Sequence, residues 1–307
     1  MKKILIYFKT VYKLGFSNVL LVLYYRIFTK SLLTKLYFPQ EEFKELSSVF
    51  LPSTKKKSVL ENQRIRIIKC ADFILDGNIY YYSYHKQNVG ENPDWFLNPF
   101  NMKTFKGFQK HWSKLNDFNS EIGDIKNYWE ISRFNWIGTL IQAYVTTLDE
   151  KYLERINLWI SDWLKENPPN TGPNWKCGQE ASIRVLNLIL AQEILNPDIV
   201  TNDLKDYLEI HIDRITPTTF YAKAQKNNHG LSEGCALFLA GYFLWKNKKE
   251  KKYYSIYQKG LRLIENQVQK LILADGTFSQ YSIVYHRMVL DLLSVIELIR
   301  QEWDLDS

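Results

Sequence analysis

A chain of 307 residues, 46% of them apolar, is long enough for a sizeable buried core, as one large domain or two ordinary ones, and too apolar to be disordered. Its formal charge of +7 suits a negative partner such as nucleic acid, an anionic membrane surface or an acidic polysaccharide, but no RNA-recognition, zinc-finger or helix-turn-helix signature accompanies the charge, so nucleic acid is not expected. Aromatic residues at 15% fill cores and also stack on sugar rings, while three cysteines without CxxC spacing exclude a disulfide framework and a Cys-based zinc site.

The opening segment, MKKILIYFKTVYKLGFSNVLLVLYYRIFTK, imitates a signal peptide only superficially, because Lys9 interrupts the apolar run and no small-residue cleavage site follows. The run from Val19 to Tyr25 is too short to span a bilayer. Residues 5–48 are predicted to be helical, with one or two basic amphipathic helices at their start, read as a packing element, with peripheral membrane association through them left open. Leu51-Pro52-Ser53 and the lysines at 55–57 read as a linker, which divides the chain into an N-terminal segment, 1–60, and a main domain, 61–307. From Phe73 to Trp112 the sequence is aromatic and irregular, punctuated by Gly77, Gly90, Pro93, Pro99 and Gly107, a kind of stretch that is often functional.

Helical patterning follows. Trp129, Arg133, Trp136, Leu140 and Tyr144 fall near helical spacing, and Leu153 to Leu164 forms the partner of a hairpin that Asn167-Pro168-Pro169 ends. A further helix holds Ala181, Arg184, Leu188 and Ala191, with a partner over Asn202 to Ile215. Leu231 to Trp245 pairs with Tyr253 to Leu273, Asp275-Gly276 marks a turn, and a last helix runs from about Ser282 to Trp303. The predicted class is all-α, with consecutive antiparallel helical hairpins that fit a toroid or an α-solenoid.

No P-loop, GxGxxG, HExxH, GxSxG or paired-carboxylate signature is present. His85 and His111 have no metal-ligand spacing, and Cys177 and Cys235 read as small packing residues. What stands out is polar and aromatic groups at loops and helix starts: Asn174-Trp175, Asn227-Asn228-His229 and Tyr285-His286.

With their surroundings these residues resemble the heparinase II/III family of polysaccharide lyases. The resemblance rests on the W-E-x-S-R pattern at Trp129, Glu130 and Arg133, the NPP-then-NW loop, and the E-A-x-x-R helix of Glu180, Ala181 and Arg184. It continues through NNHGLSEGCALFLAGYF at 227–243 and ADGTFSQYSIVYHRMVLDLL at 274–293, where Gln280 stands in the place of the family's usual Glu. Family chains continue into the rest of an (α/α) toroid and a C-terminal β-sandwich, so the resemblance implies an incomplete toroid for residues ending at Ser307.

The resemblance implies a carbon–oxygen lyase that cleaves a uronic-acid-containing anionic polysaccharide by β-elimination, without a cofactor or metal. It assigns Tyr285 as base, acid or both, Asn228 as neutraliser of the uronate carboxylate, and His229 as base or neutraliser according to uronate stereochemistry. Arg133 and Arg184 are candidates for carboxylate or sulfate, Trp129 and Trp175 for stacking on sugar rings, and Asn174, Glu233 and His286 for further substrate contacts. Read as ordinary structure, Asn228 is a helix cap, His229 and Glu233 a local pair, and Glu180 and Arg184 an i,i+4 pair. The alternative function is a non-catalytic carbohydrate-binding or scaffold protein of surface-polysaccharide biosynthesis. The expected location is the cytoplasm or the inner membrane, with the periplasm also open.

Overall fold

The computed structural model describes Tyr12 and residues 15–116, 118–119 and 121–305. The chain folds as two compact units, one of Pro39–His211 and one combining Met1–Phe38 with Ile212–Ser307. Both are helical, and the chain is all-α with only short two-stranded ribbons.

Within the helical segment expected over 5–48 the described residues form two helices, α1 (Phe16–Lys30) and α2 (Leu33–Tyr37), and residues 5–14 lie outside the described residues apart from Tyr12. Pro39 denies Phe38 the helical region, and Phe38 sits at φ −131°, ψ 70°. Beyond it the Pro39–His211 unit begins with extended chain, and side chains from distant helices take its backbone donors. The amides of Ser47 and Ser48 donate to Asp203 at 2.7 and 3.0 Å, and those of Val49 and Phe50 to Asn157 Oδ1 at 3.0 and 2.9 Å.

Helix α3 (Glu61–Leu75) takes in the start of the stretch read as irregular. The rest is organised as short antiparallel ribbons: β1 (Asn78–Tyr81) with β2 (His85–Asn88), β3 (Leu97–Asn98) with β4 (Lys103–Thr104), and β5 (Phe118–Asn119) with β6 (Gly123–Asp124). The helix read through 129–144 is broken into α4 (Lys126–Ser132) and α5 (Asn135–Thr147) by Phe134 at φ 65°. The break is stabilised because the freed carbonyls find partners: Trp136 Nε1 donates to Ile131 O at 3.1 Å and Asn187 Nδ2 to Arg133 O at 2.8 Å. Asp149 caps α6 (Glu150–Glu166), which makes the expected hairpin with α5. Then follow α7 (Gly178–Leu195), packed on α5, and α8 (Asn202–Ile215), which leads into the second unit.

In that second unit α9 (Thr219–Ala224) packs on α1, and the hairpin of α10 (Asn228–Lys248) and α11 (Lys251–Leu271) forms the centre. The hairpin is close because glycines let the backbones meet. A Cβ on Gly260 would lie 2.3 Å from Phe238 N, and one on Gly241 2.4 Å from Tyr257 N. Cys235 is buried in the same hairpin, which pushes its thiol pKa up to about 12 and leaves it a packing residue. After a turn at Asp275-Gly276, α12 (Ile283–Glu302) lies along α10.

Candidate functional site

The start of α10 is built by its capping. Asn227 is the cap, its Oδ1 accepting the His229 N–H at 3.0 Å, so Asn228 is the first helical residue and not the cap that its position before an apolar run suggested. Asn228 is 2% exposed. Its backbone N–H, one of the donors a helix start leaves over, goes to Gln280 Oε1 at 3.1 Å. Its side-chain Nδ2 lies 3.5 Å from Met288 Sδ.

Those two partners bracket Tyr285. Ser282 caps α12 by accepting the Tyr285 N–H at 3.3 Å, which sets the phenol on the first turn of α12, five residues after Gln280 and three before Met288. Tyr285 is 38% exposed, and its hydroxyl makes no hydrogen bond among the described residues. Two motifs far apart in the chain therefore meet at the starts of two packed helices.

Other predicted residues surround this junction. His229 is half-buried, and Glu233 is buried one turn further along α10. Lys259 of α11 donates to Thr216 O at 2.6 Å; burial holds its pKa below the ordinary lysine value, and the charge of Glu233 acts in the opposite direction. Gln267 is buried against Gly230, where a Cβ would approach its Oε1 to 2.6 Å. His286 is half-buried, its ring nearly parallel to Phe278 at 6.0 Å.

The remaining predicted residues lie in the Pro39–His211 unit, and there burial assigns several of them to structure. Trp175 is fully buried, donates from Nε1 to Asn167 O at 2.9 Å and packs on Trp163 and His211, so it has no free face for a sugar. Asn174 is also fully buried, with its Nδ2 on Asn167 Oδ1 at 2.8 Å. Arg184 is 1% exposed; it donates to Asn174 O at 2.8 Å and to His211 Nε2 at 2.9 Å, and its guanidinium lies over the Trp163 ring. Trp129 donates to Pro173 O at 2.8 Å and packs with Phe96, Phe105 and Tyr128. Residue type pointed these four toward substrate; in the structure each is buried and hydrogen-bonded to a partner inside the unit.

Arg133 keeps part of its surface. Its side chain is 20% exposed, forked onto Glu180 at 2.7 and 3.0 Å, with Nη1 on Glu130. Burial opposes its charge, but Glu180 and Glu130 more than offset this and hold its pKa above the usual guanidinium value. Glu180 thus pairs with Arg133 and not with Arg184 as its spacing suggested. Glu130 Oε1 also accepts the Tyr82 N–H at 2.9 Å, and Tyr82 donates to Asn127 Oδ1 at 2.6 Å. Burial first and Glu130 second push the Tyr82 phenol up to about 12. Its neutral hydroxyl is a donor at any ordinary pH.

Sequence reasoning missed Gln280 as a holding group, because it registered only as a departure from a family pattern. It missed Met288 altogether, although a residue three beyond the tyrosine on a helix shares its face. Tyr82 left no signal except a place in an aromatic stretch. Among the described residues no group of three His, Cys, Asp or Glu side chains could hold a metal ion.

The family model described as Heparinase II/III N-terminus matches residues 18–306. A heparin-sulfate lyase of Pedobacter heparinus is 25% identical over 190 residues, covering 57% of this chain and 28% of that protein. One of Bacteroides thetaiotaomicron is 25% identical over 215 residues, covering 67% and 28%. The chain thus spans under a third of the length of these curated relatives. Among solved structures, the crystal structure of heparan sulfate lyase HepC from Pedobacter heparinus superposes with a TM-score of 0.51 at 19% identity, over 94% of this chain and 41% of that one, a likeness of fold.

Proposed function

Because the chain belongs to the heparinase II/III family, matched over residues 18–306, we propose that it is the helical part of a polysaccharide lyase acting on a uronic-acid-containing anionic glycan by β-elimination. In this reading the Tyr285 phenolate takes the C5 proton, the electron pair forms the C4–C5 double bond, and the C4–O bond breaks. The phenol then returns its proton to the leaving oxygen. The C5 proton is weakly acidic while the carboxylate stays negative, so an amide donor at that carboxylate is worth most when charge builds up in the transition state. Asn228 is that donor, and His229 is a second base or neutraliser.

One observation supports this reading above others: the Asn228 N–H is bonded to Gln280 and its amide touches Met288, on either side of Tyr285. The same observation bears on the non-catalytic alternative. Gln280 stands in the place of the family's usual Glu, a change that favours that alternative, yet its amide oxygen accepts the Asn228 N–H as a carboxylate would. The substrate proposal follows the lyases of heparin sulfate and heparan sulfate to which the chain is similar.

The test is to incubate the full chain with heparan sulfate and with alginate and follow the absorbance of the unsaturated uronate product. Asn228→Ala is expected to lower kcat by about a hundredfold or more, as loss of one such donor does. Undiminished turnover in that variant would remove Asn228 from the chemistry.

A further inference from the structure

The net charge of this chain is concentrated in one stretch of the sequence. Residues 1–40 hold seven Lys and Arg and no Asp or Glu, so they account for the whole of the +7 and leave the other residues balanced. Within the described part of this segment, α1 has two apolar faces. One is used: Phe28 is buried, and Tyr25 stacks on Tyr221 of α9 with ring centroids 3.7 Å apart.

The opposite face is not covered. Phe16, Leu20, Leu23 and Ile27, at i, i+4, i+7 and i+11, form one stripe, each between 48% and 69% exposed. Beyond α1, Leu32, Leu33 and Leu36 are exposed as well, with Leu36 at 77%, while Tyr37 packs edge-on against Phe28. Arg26 and Lys30, exposed at i,i+4 on α1, edge the stripe, and Lys35 is exposed on α2. A row of large apolar side chains in water is costly, and apolar patches of this kind mark interaction surfaces.

We propose that α1 and α2 form a monotopic binding surface for an anionic lipid bilayer, the apolar stripe entering the headgroup boundary and the basic residues meeting lipid phosphate. No described helix is long and apolar enough to cross a membrane, so the surface lies on the bilayer. Charge and stripe together choose this partner. A polyanionic glycan would answer the Arg and Lys side chains and leave the leucines in water, and a second copy of the same face would bring like charges together. The surface uses none of the residues at the Asn228 and Tyr285 junction, so it stands apart from the lyase reading.

The experiment is co-sedimentation of the full chain with vesicles of phosphatidylcholine alone and of equal parts phosphatidylcholine and phosphatidylglycerol. The wild type pellets with the anionic vesicles, and added salt weakens the binding by screening. Each basic residue at such a surface is worth roughly fivefold, so the triple variant Arg26→Glu, Lys30→Glu, Lys35→Glu loses about a hundredfold or more in partitioning. The triple variant Leu20→Glu, Leu23→Glu, Ile27→Glu leaves the pellet altogether. All six positions are exposed, so both variants keep the far-ultraviolet circular dichroism of the wild type. Wild type remaining in the supernatant, or variants that pellet as it does, would overturn the proposal. So would a concentration-dependent dimer that the leucine variant abolishes without any vesicle binding, which would assign the face to a second copy.

Discussion

Asn228 shows what a single hydrogen bond does for a helix start. A helix begins with donors that have no partner inside it, and here one of them is answered from across the unit by Gln280. The oxygen that answers sits five residues before Tyr285, so the bond that satisfies the start of α10 also ties it to the segment that leads into α12. Gln280→Leu is expected to lower kcat by about tenfold, the effect of one net hydrogen bond. Gln280→Glu, which still offers an oxygen, is expected to restore it. Steady-state kinetics on both variants separates this from a general loss of stability, because KM and the urea midpoint of Gln280→Glu should match the wild type. His211 supports a second prediction at this scale. Arg184 donates to its Nε2, and its Nδ1 lies 2.8 Å from Tyr207 O, an arrangement only the neutral ring satisfies. Burial and the Arg184 charge hold its pKa well below the ordinary imidazole value. Above about pH 6.5 the ring is neutral folded or unfolded; below it the unfolded chain takes up a proton that the folded chain refuses, so stability falls with pH. The slope from this one group approaches about 1.4 kcal/mol per pH unit, and His211→Gln should remove it from the pH dependence of the urea midpoint.

Helices α10 and α11 depend on closeness. Gly260 stands where any side chain would run into the backbone of the partner helix, at Phe238 N and Gly234 O. Gly260→Ala therefore forces the hairpin apart at its middle and should cost about 1–3 kcal/mol, read as a fall in the urea midpoint with an unchanged slope. The longer helices from 150 onward were legible in the sequence because amphipathic period and capping are local properties: Asp149 announces α6, and Ser282 announces α12, whereas the short α9 was not read. The extended segment after Pro39 was not, since its backbone partners Asn157 and Asp203 lie more than a hundred residues away. The break at Phe134 was hidden for a similar reason. It depends on an indole and an amide that replace helical hydrogen bonds, and no periodicity shows that.

For the molecule as a whole, the motif order that resembles a lyase family is legible in the sequence alone, and in the folded chain the Asn228 and Tyr285 segments do adjoin. For the arginines and tryptophans, burial is what the sequence left open. Sequence supplies a residue's chemistry but not its burial, and Arg184 and Trp175 spend theirs inside the core. Arg133 lies between these cases, partly exposed yet already shared by two carboxylates. The proposed chemistry thus rests on a small junction, where the helix start that carries Asn228 is bonded to the segment on either side of Tyr285. Its most direct test is Tyr285→Phe in the full chain, assayed by the absorbance of the unsaturated uronate product on a glycan the wild type cleaves. The signal is expected to disappear while glycan binding persists; turnover at the wild-type rate without that hydroxyl would contradict the role given to Tyr285.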